Sequence, residues 1–151
     1  MQFKDWATSK GLIEEESSPK EISDLLKLVD EKLNDCQIVA GTTISSSSHY
    51  SIAYNAAIAC ATVVLRASGY RTNENAKGGH DLLFQSLGFT VDKKGVVVAQ
   101  LNKARFVRRR TTYEAVENID ARDIHKLVET IRSLRKTAEQ WIRKEYPDLL
   151  P

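Results

Sequence analysis

Little punctuates this chain. Three prolines and seven glycines in 151 residues are too few for the close-set turns of a sheet protein, so long helices with short connections are the expected architecture. Two cysteines, Cys36 and Cys60, give neither a disulfide framework nor a metal-ligand spacing. Both sit at apolar positions of helical patterns and read as small buried hydrophobes in a reducing compartment. The opening Met1-Gln-Phe-Lys-Asp-Trp carries charge where a secretory leader would be apolar. The cytoplasm is therefore the expected location. Charge of one sign is also lacking: a net +2 is too small by itself to argue for nucleic acid.

No uncharged run is long enough to span a bilayer. The greasiest stretch, Ser48 to Gly69, has no charged side chain between Ile52 and Leu65. Those 14 or so uncharged residues fall short of the roughly 20 a crossing helix needs, and His49 and Arg66 bracket them. Ala53, Ala56, Ala57, Ala59 and Ala61 favour helix and let neighbouring backbones approach closely. Ser47 or Ser48 can cap its start, and Gly69 suits the left-handed position after its end. The expectation is a core helix wrapped by protein on all sides.

The remaining elements follow from period and caps. Residues 1–17 read as an arm whose Phe3, Trp6 and Ala7 dock one turn, with Glu14-Glu15-Glu16 solvated. Residues 18–146 read as the bundle, one domain within 1–151. Ser18-Pro19-Lys20-Glu21 is a capping box, and Ile22, Leu25, Leu26, Val29, Leu33 and Cys36 then form a stripe. Gly41–Ser48 reads as a connector, since its hydroxyls lack the glycine spacing of a phosphate loop. A polar loop from Tyr70 leads to His80 at the start of a short helix, Asp81 to Leu87. A further helix spans Asp92 to Tyr113, with Val96, Val97, Leu101, Ala104 and Val107 or Arg108 inward. The last runs from a cap at Asp120 to about Lys144. Its stripe is Ile124, Leu127, Val128, Ile131, Leu134, Ala138, Trp141 and Ile142, with His125 on the surface.

The chemical signal is concentrated in Lys103-Ala-Arg105-Phe-Val-Arg108-Arg109-Arg110. Five of those eight residues are basic and none is acidic. Cations near a helix C-terminus are favoured by its macrodipole. Five exceed that need and repel one another unless an anion or an acidic partner compensates. On a continuous helix Arg105, Arg109, Thr112 and Tyr113 share a face, with Arg108 to its side. Guanidinium forks beside a phenol suit a phosphate. The plain alternative is a solvated helix end on an assembly subunit. His80 can serve as acid, base or anion contact, or merely cap its loop. Asn55, an amide in an apolar helix, must find a partner, either across in the Arg108–Tyr113 region or on a neighbouring backbone.

Tyr54-Asn55-Ala56-Ala57, Leu65-Arg66-Ala67-Ser68-Gly69-Tyr70-Arg71, Gly79-His80 and Arg108-Arg109-Arg110-Thr111-Thr112-Tyr113 together resemble the HEPN superfamily, over about residues 19 to 145. The resemblance implies an all-α, antiparallel bundle of four to five helices that forms a homodimer and needs no cofactor and no metal. It implies RNA or nucleotide as ligand, with an antitoxin or nucleotidyltransferase as a further partner and no membrane. Active members are metal-independent ribonucleases with an arginine followed a few residues later by histidine. Here Arg108 matches that arginine, Arg109 follows it, and Tyr113 stands where the histidine would. A phenol of pKa about 10 donates a proton at neutral pH but is a poor base, so His80 is the remaining imidazole. The catalytic candidates are then Arg108, Tyr113 and His80. The phosphate-binding ones are Lys103, Arg105, Arg109 and Arg110, with Asn55 orienting the site. A binding module in a toxin–antitoxin or defence-type system is favoured over a ribonuclease.

Overall fold

The computed structural model describes residues 2–113 and 119–150, without the side chains of Thr112 and Tyr113. The chain is all-α apart from one two-residue strand pair. In order come α1 (Phe3–Ser9), β1 (Ile13–Glu14), α2 (Pro19–Val39), α3 (Ser46–Ala67), β2 (Tyr70–Arg71), α4 (Gly79–Ser86), a 3-10 turn (Leu87–Phe89), α5 (Val96–Tyr113) and α6 (Ala121–Glu145). Six α-helices therefore stand among the described residues where four to five were expected. The extra one is α1, a single expected turn that lengthens to seven residues. Phe3 and Trp6 join Tyr70 and Phe89 in an aromatic cluster, and this burial holds so short a helix in place.

Contacts between helix ends fix the directions. His49 at the start of α3 bonds the Cys36 carbonyl near the end of α2, while Arg66 at the far end of α3 meets Glu21 at the start of α2. These two helices are antiparallel. The Ser46 hydroxyl accepts from Ile119 N at 2.9 Å, so α6 sets out beside the start of α3. Arg108 and Thr111, late in α5, also reach the start of α3. Thus α2 and α5 run one way, α3 and α6 the other.

Helix α3 is the middle of the bundle, touching α2, α4, α5 and α6. By length and composition it passes for a membrane span, yet 72% of its apolar window is buried within the protein. Burial is not all-round. Ser51, Ile52, Ile58 and Thr62 are half-buried and Asn55 is exposed, so one narrow stripe faces out. Small side chains on the other faces (Ala53, Ala56, Ala57 and Ala61, all fully buried) let the neighbours close in.

Capping follows the sequence to within a turn. Ser45, one turn earlier than expected, caps α3 by accepting from Ser48 N. Ser18 caps α2 through Glu21 N, but the Glu21 carboxylate turns to Arg66 instead of closing the box. Gly69 holds φ +88°, as a residue following a helix end often must. The acidic run is not merely solvated: the Glu15 and Glu16 carbonyls accept from Arg66, and the Glu15 carboxylate pairs with Arg66 and Arg71.

Candidate anion site at the end of helix α5

Helix α5 starts at Val96, four residues later than expected, because Asp92 stays outside and caps it. The buried Asp92 carboxylate accepts from Val98 N at 2.8 Å. That start leaves Val96 exposed rather than inward, while Leu101 and Ala104 are buried as expected. The helix then carries its cations in three directions. Arg105 turns to α4, its Nη2 3.8 Å from an Asp81 oxygen, and its buried Nε finds no hydrogen-bond acceptor among the described residues. Arg108 is half-buried against the first turns of α3. Lys103, Arg109 and Arg110 are exposed. On the continuous α5, Arg105 and Arg109 stand one turn apart, Arg105 half-buried towards α4 and Arg109 exposed. The Tyr113 side chain, central to the expected arrangement, lies outside the described residues.

The structure brings His80 to this helix. Gly78, at φ +78°, makes the left-handed turn that starts α4. That turn sets His80 Nδ1 3.0 Å from the Tyr54 hydroxyl, the two rings 5.7 Å apart. Tyr54 is buried on α3, and burial pushes its phenol up to about 12, against the opposing pull of Arg105 and Arg108. It stays protonated at any ordinary pH. The outer rim of His80 is exposed, but its inner edge lies against Tyr54. Burial of that edge, then the charges of Arg108 and Arg105, hold the imidazole below its ordinary value. It is neutral at neutral pH. Either Tyr54 donates to Nδ1, or Nδ1–H donates to the phenol oxygen and leaves the Nε2 lone pair outward.

Beside Arg108 lies an open hollow of about 300 Å³, walled by Ser47, Ser48, Ser51, Ile52 and Thr111. Thr111 Oγ1 donates to the Arg108 carbonyl, and Ser48 Oγ accepts from Ser45. The segment read as a plain connector thus delivers hydroxyls to the arginine. A serine run carries no spacing code, so the sequence favours a connector over a phosphate-contacting loop there. Tyr54 belongs to the core, yet its hydroxyl faces His80 across 26 positions of sequence that no local pattern connects. Asn55 is exposed rather than buried, and among the described residues its side chain makes no hydrogen bond; the Tyr113 side chain, part of the region expected to receive it, lies outside them.

Other titrating groups have structural duties. Cys60 is buried and its thiol is pushed up to about 12 by that burial. Cys36 is also raised by burial. Among the described residues, no group of three or more His, Cys, Asp or Glu side chains is placed to hold a metal ion. Comparison with protein-family models, curated proteins and solved structures finds no match to this chain.

Proposed function

We propose that this chain is a HEPN-like helical module that binds RNA or a nucleotide at the C-terminal half of α5, as a homodimer, in a cytoplasmic toxin–antitoxin or defence-type system. One observation carries the reading: Arg108, which with Arg105 imposes its charge on the His80–Tyr54 pair, also lines a hydroxyl-walled hollow. Guanidinium groups bind phosphate through paired N–H donors, and hydroxyls complete such a shell without adding charge. Lys103, Arg109 and Arg110 extend the positive field outward for a chain of phosphates. An acidic antitoxin or a nucleotidyltransferase partner would cover the same cations.

The test is the affinity for a labelled 12-nucleotide single-stranded RNA across a salt series. Four phosphates engaged on a single strand give a log–log slope of about −3. Arg109→Gln should flatten that slope by about 0.7 and weaken binding to all sequences alike. Binding that ignores salt, or a wild-type protein that holds RNA no better than an acidic peptide, would remove the reading.

A second reading, a metal-independent ribonuclease, is favoured by the neutral imidazole standing next to two guanidinium groups. With Nδ1–H given to Tyr54, His80 Nε2 accepts the ribose 2′-hydroxyl proton as that oxygen attacks phosphorus. The 5′-oxygen leaves and takes a proton from solvent water, and Arg108 steadies the phosphorane charge. This predicts 2′,3′-cyclic phosphate ends without added metal, lost in His80→Ala and Arg108→Ala. No cleavage at high protein concentration ends this second reading and leaves the first standing.

A further inference from the structure

The chain has four phenylalanines. Three are packed: Phe84 is fully buried, and Phe3 and Phe89 stack within the α1 cluster. Phe106 is 56% exposed, on the outer face of α5. Its neighbours three and four positions away on the helix are Asn102, Lys103, Arg109 and Arg110, so the ring is surrounded by three cations and an amide. The Arg105 guanidinium lies 5.0 Å from the ring centroid, close enough for a cation–π contact. Beyond that contact, more than half of the ring stays open to water, apolar surface the bundle does not use. Cations spaced around a ring are what a strand of phosphates with outward-turned bases requires.

We propose that Phe106 is a stacking platform for an unpaired nucleobase, so that the ligand of this surface is single-stranded RNA in preference to duplex. The inference rests on the RNA-binding reading above and makes it specific. A duplex keeps its bases stacked inside and offers the ring nothing, whereas a single strand can lay one base on it. The surrounding cations meanwhile hold the flanking phosphates. Charge sets how tightly any polyanion binds; the ring sets the preference for a base.

The experiment compares three probes on the full chain: a 12-nucleotide oligoadenylate, a self-complementary RNA duplex, and inorganic polyphosphate of matched charge. Phe106→Ala should weaken oligoadenylate binding by about 5- to 150-fold, the range for loss of one stacked base. Polyphosphate affinity should not change. Phe106→Leu should behave like the alanine variant, and Phe106→Trp should restore affinity, its added indole fluorescence quenched on binding oligoadenylate. Equal affinity of wild type and Phe106→Ala for oligoadenylate overturns the stacking role while leaving the RNA-binding reading intact. Failure of wild type to bind either RNA or polyphosphate overturns both. Equal losses for RNA and polyphosphate, or a fall in native mass on sedimentation, would assign Phe106 to folding or to a self-contact and also overturn it.

Discussion

Arg66 is the residue whose removal should most clearly expose how the bundle holds its N-terminal arm. Its side chain is only 7% exposed. Nε and Nη2 donate to the Glu21 carboxylate at 2.9–3.1 Å, Nη1 to the carbonyls of Glu15 and Tyr70, and Nη2 also to the Glu16 carbonyl. One guanidinium thus ties the start of α2, the residues after β1, and β2 to the end of α3. Removing one member of a buried pair costs about 3–5 kcal/mol because the other charge is stranded. Glu21 is 36% exposed and Glu15 51%, so water can reach both carboxylates. We therefore place Arg66→Ala at the low end, about 3 kcal/mol. For a chain of this size that is a fall in Tm of about 6–12 °C. Glu21→Gln, which keeps acceptor and shape but loses charge, should cost about 1 kcal/mol. Urea unfolding followed by circular dichroism reads both. Hydrogen exchange should show the amides of residues 3–16 losing protection in Arg66→Ala at denaturant levels where α6 keeps its own. A Tm shift under about 2 °C with the arm still protected would refute the anchoring role.

Four other outcomes are expected. The His80 ring should titrate below 6.5 by NMR, and its midpoint should rise in Arg105→Gln and in Arg108→Gln. Because the folded value lies below the unfolded one, the stability tied to neutral His80 is complete above about 6.5 and is lost as pH falls through and below it. His80→Gln should remove that acid-side loss from the stability–pH curve. Native protein should resist iodoacetamide at Cys60 and react fully in denaturant, since the thiol is both buried and protonated; rapid native labelling would contradict this. Ala57→Leu on the fully buried face of α3 should lower stability by about 1–3 kcal/mol through overpacking, measured by urea midpoint. Asp92→Ala should cost about 1–2 kcal/mol by leaving Val98 N without its acceptor, and should loosen the start of α5 in hydrogen exchange.

The helices were legible because each states its own period. The α6 stripe from Ile124 to Ile142 and the α2 stripe from Ile22 to Cys36 need no knowledge of the rest of the chain. Caps were legible to within a turn, as the shift from Ser47 or Ser48 to Ser45 shows, because four serines in a row offer four acceptors. What the sequence hid was long-range. The β1–β2 pair joins Ile13 to Arg71 and Glu14 to Tyr70, and neither two-residue strand has a period to read. Arg66 looked like the charge closing an apolar run, although its carbonyl partners lie up to 51 positions away. Asn55 shows the opposite error. A polar residue in an apolar stretch reads as buried, but a central helix with six alanines can still leave one stripe to solvent.

At the site, the basic octad was visible in composition and the directions of its members were not. Helical geometry puts Arg105 and Arg109 one turn apart, yet side chains this long follow their partners, and Arg105 turns to Asp81. His80 is legible from its pKa class, its place at a helix start and the Gly79-His80 part of the resemblance, none of which names a partner. Its meeting with Tyr54 depends on the left-handed turn at Gly78, which two adjacent glycines suggest but do not locate.

The most direct measurement is a map of backbone amide shifts on an ¹⁵N-labelled sample as a short single-stranded RNA is added at physiological salt. The account predicts shifts concentrated in residues 47–54, 78–81 and 103–111, moving with RNA concentration and reversed by added salt. Shifts scattered evenly over the surface, or gathered on the outer face of α2 with those three segments unmoved, would contradict it.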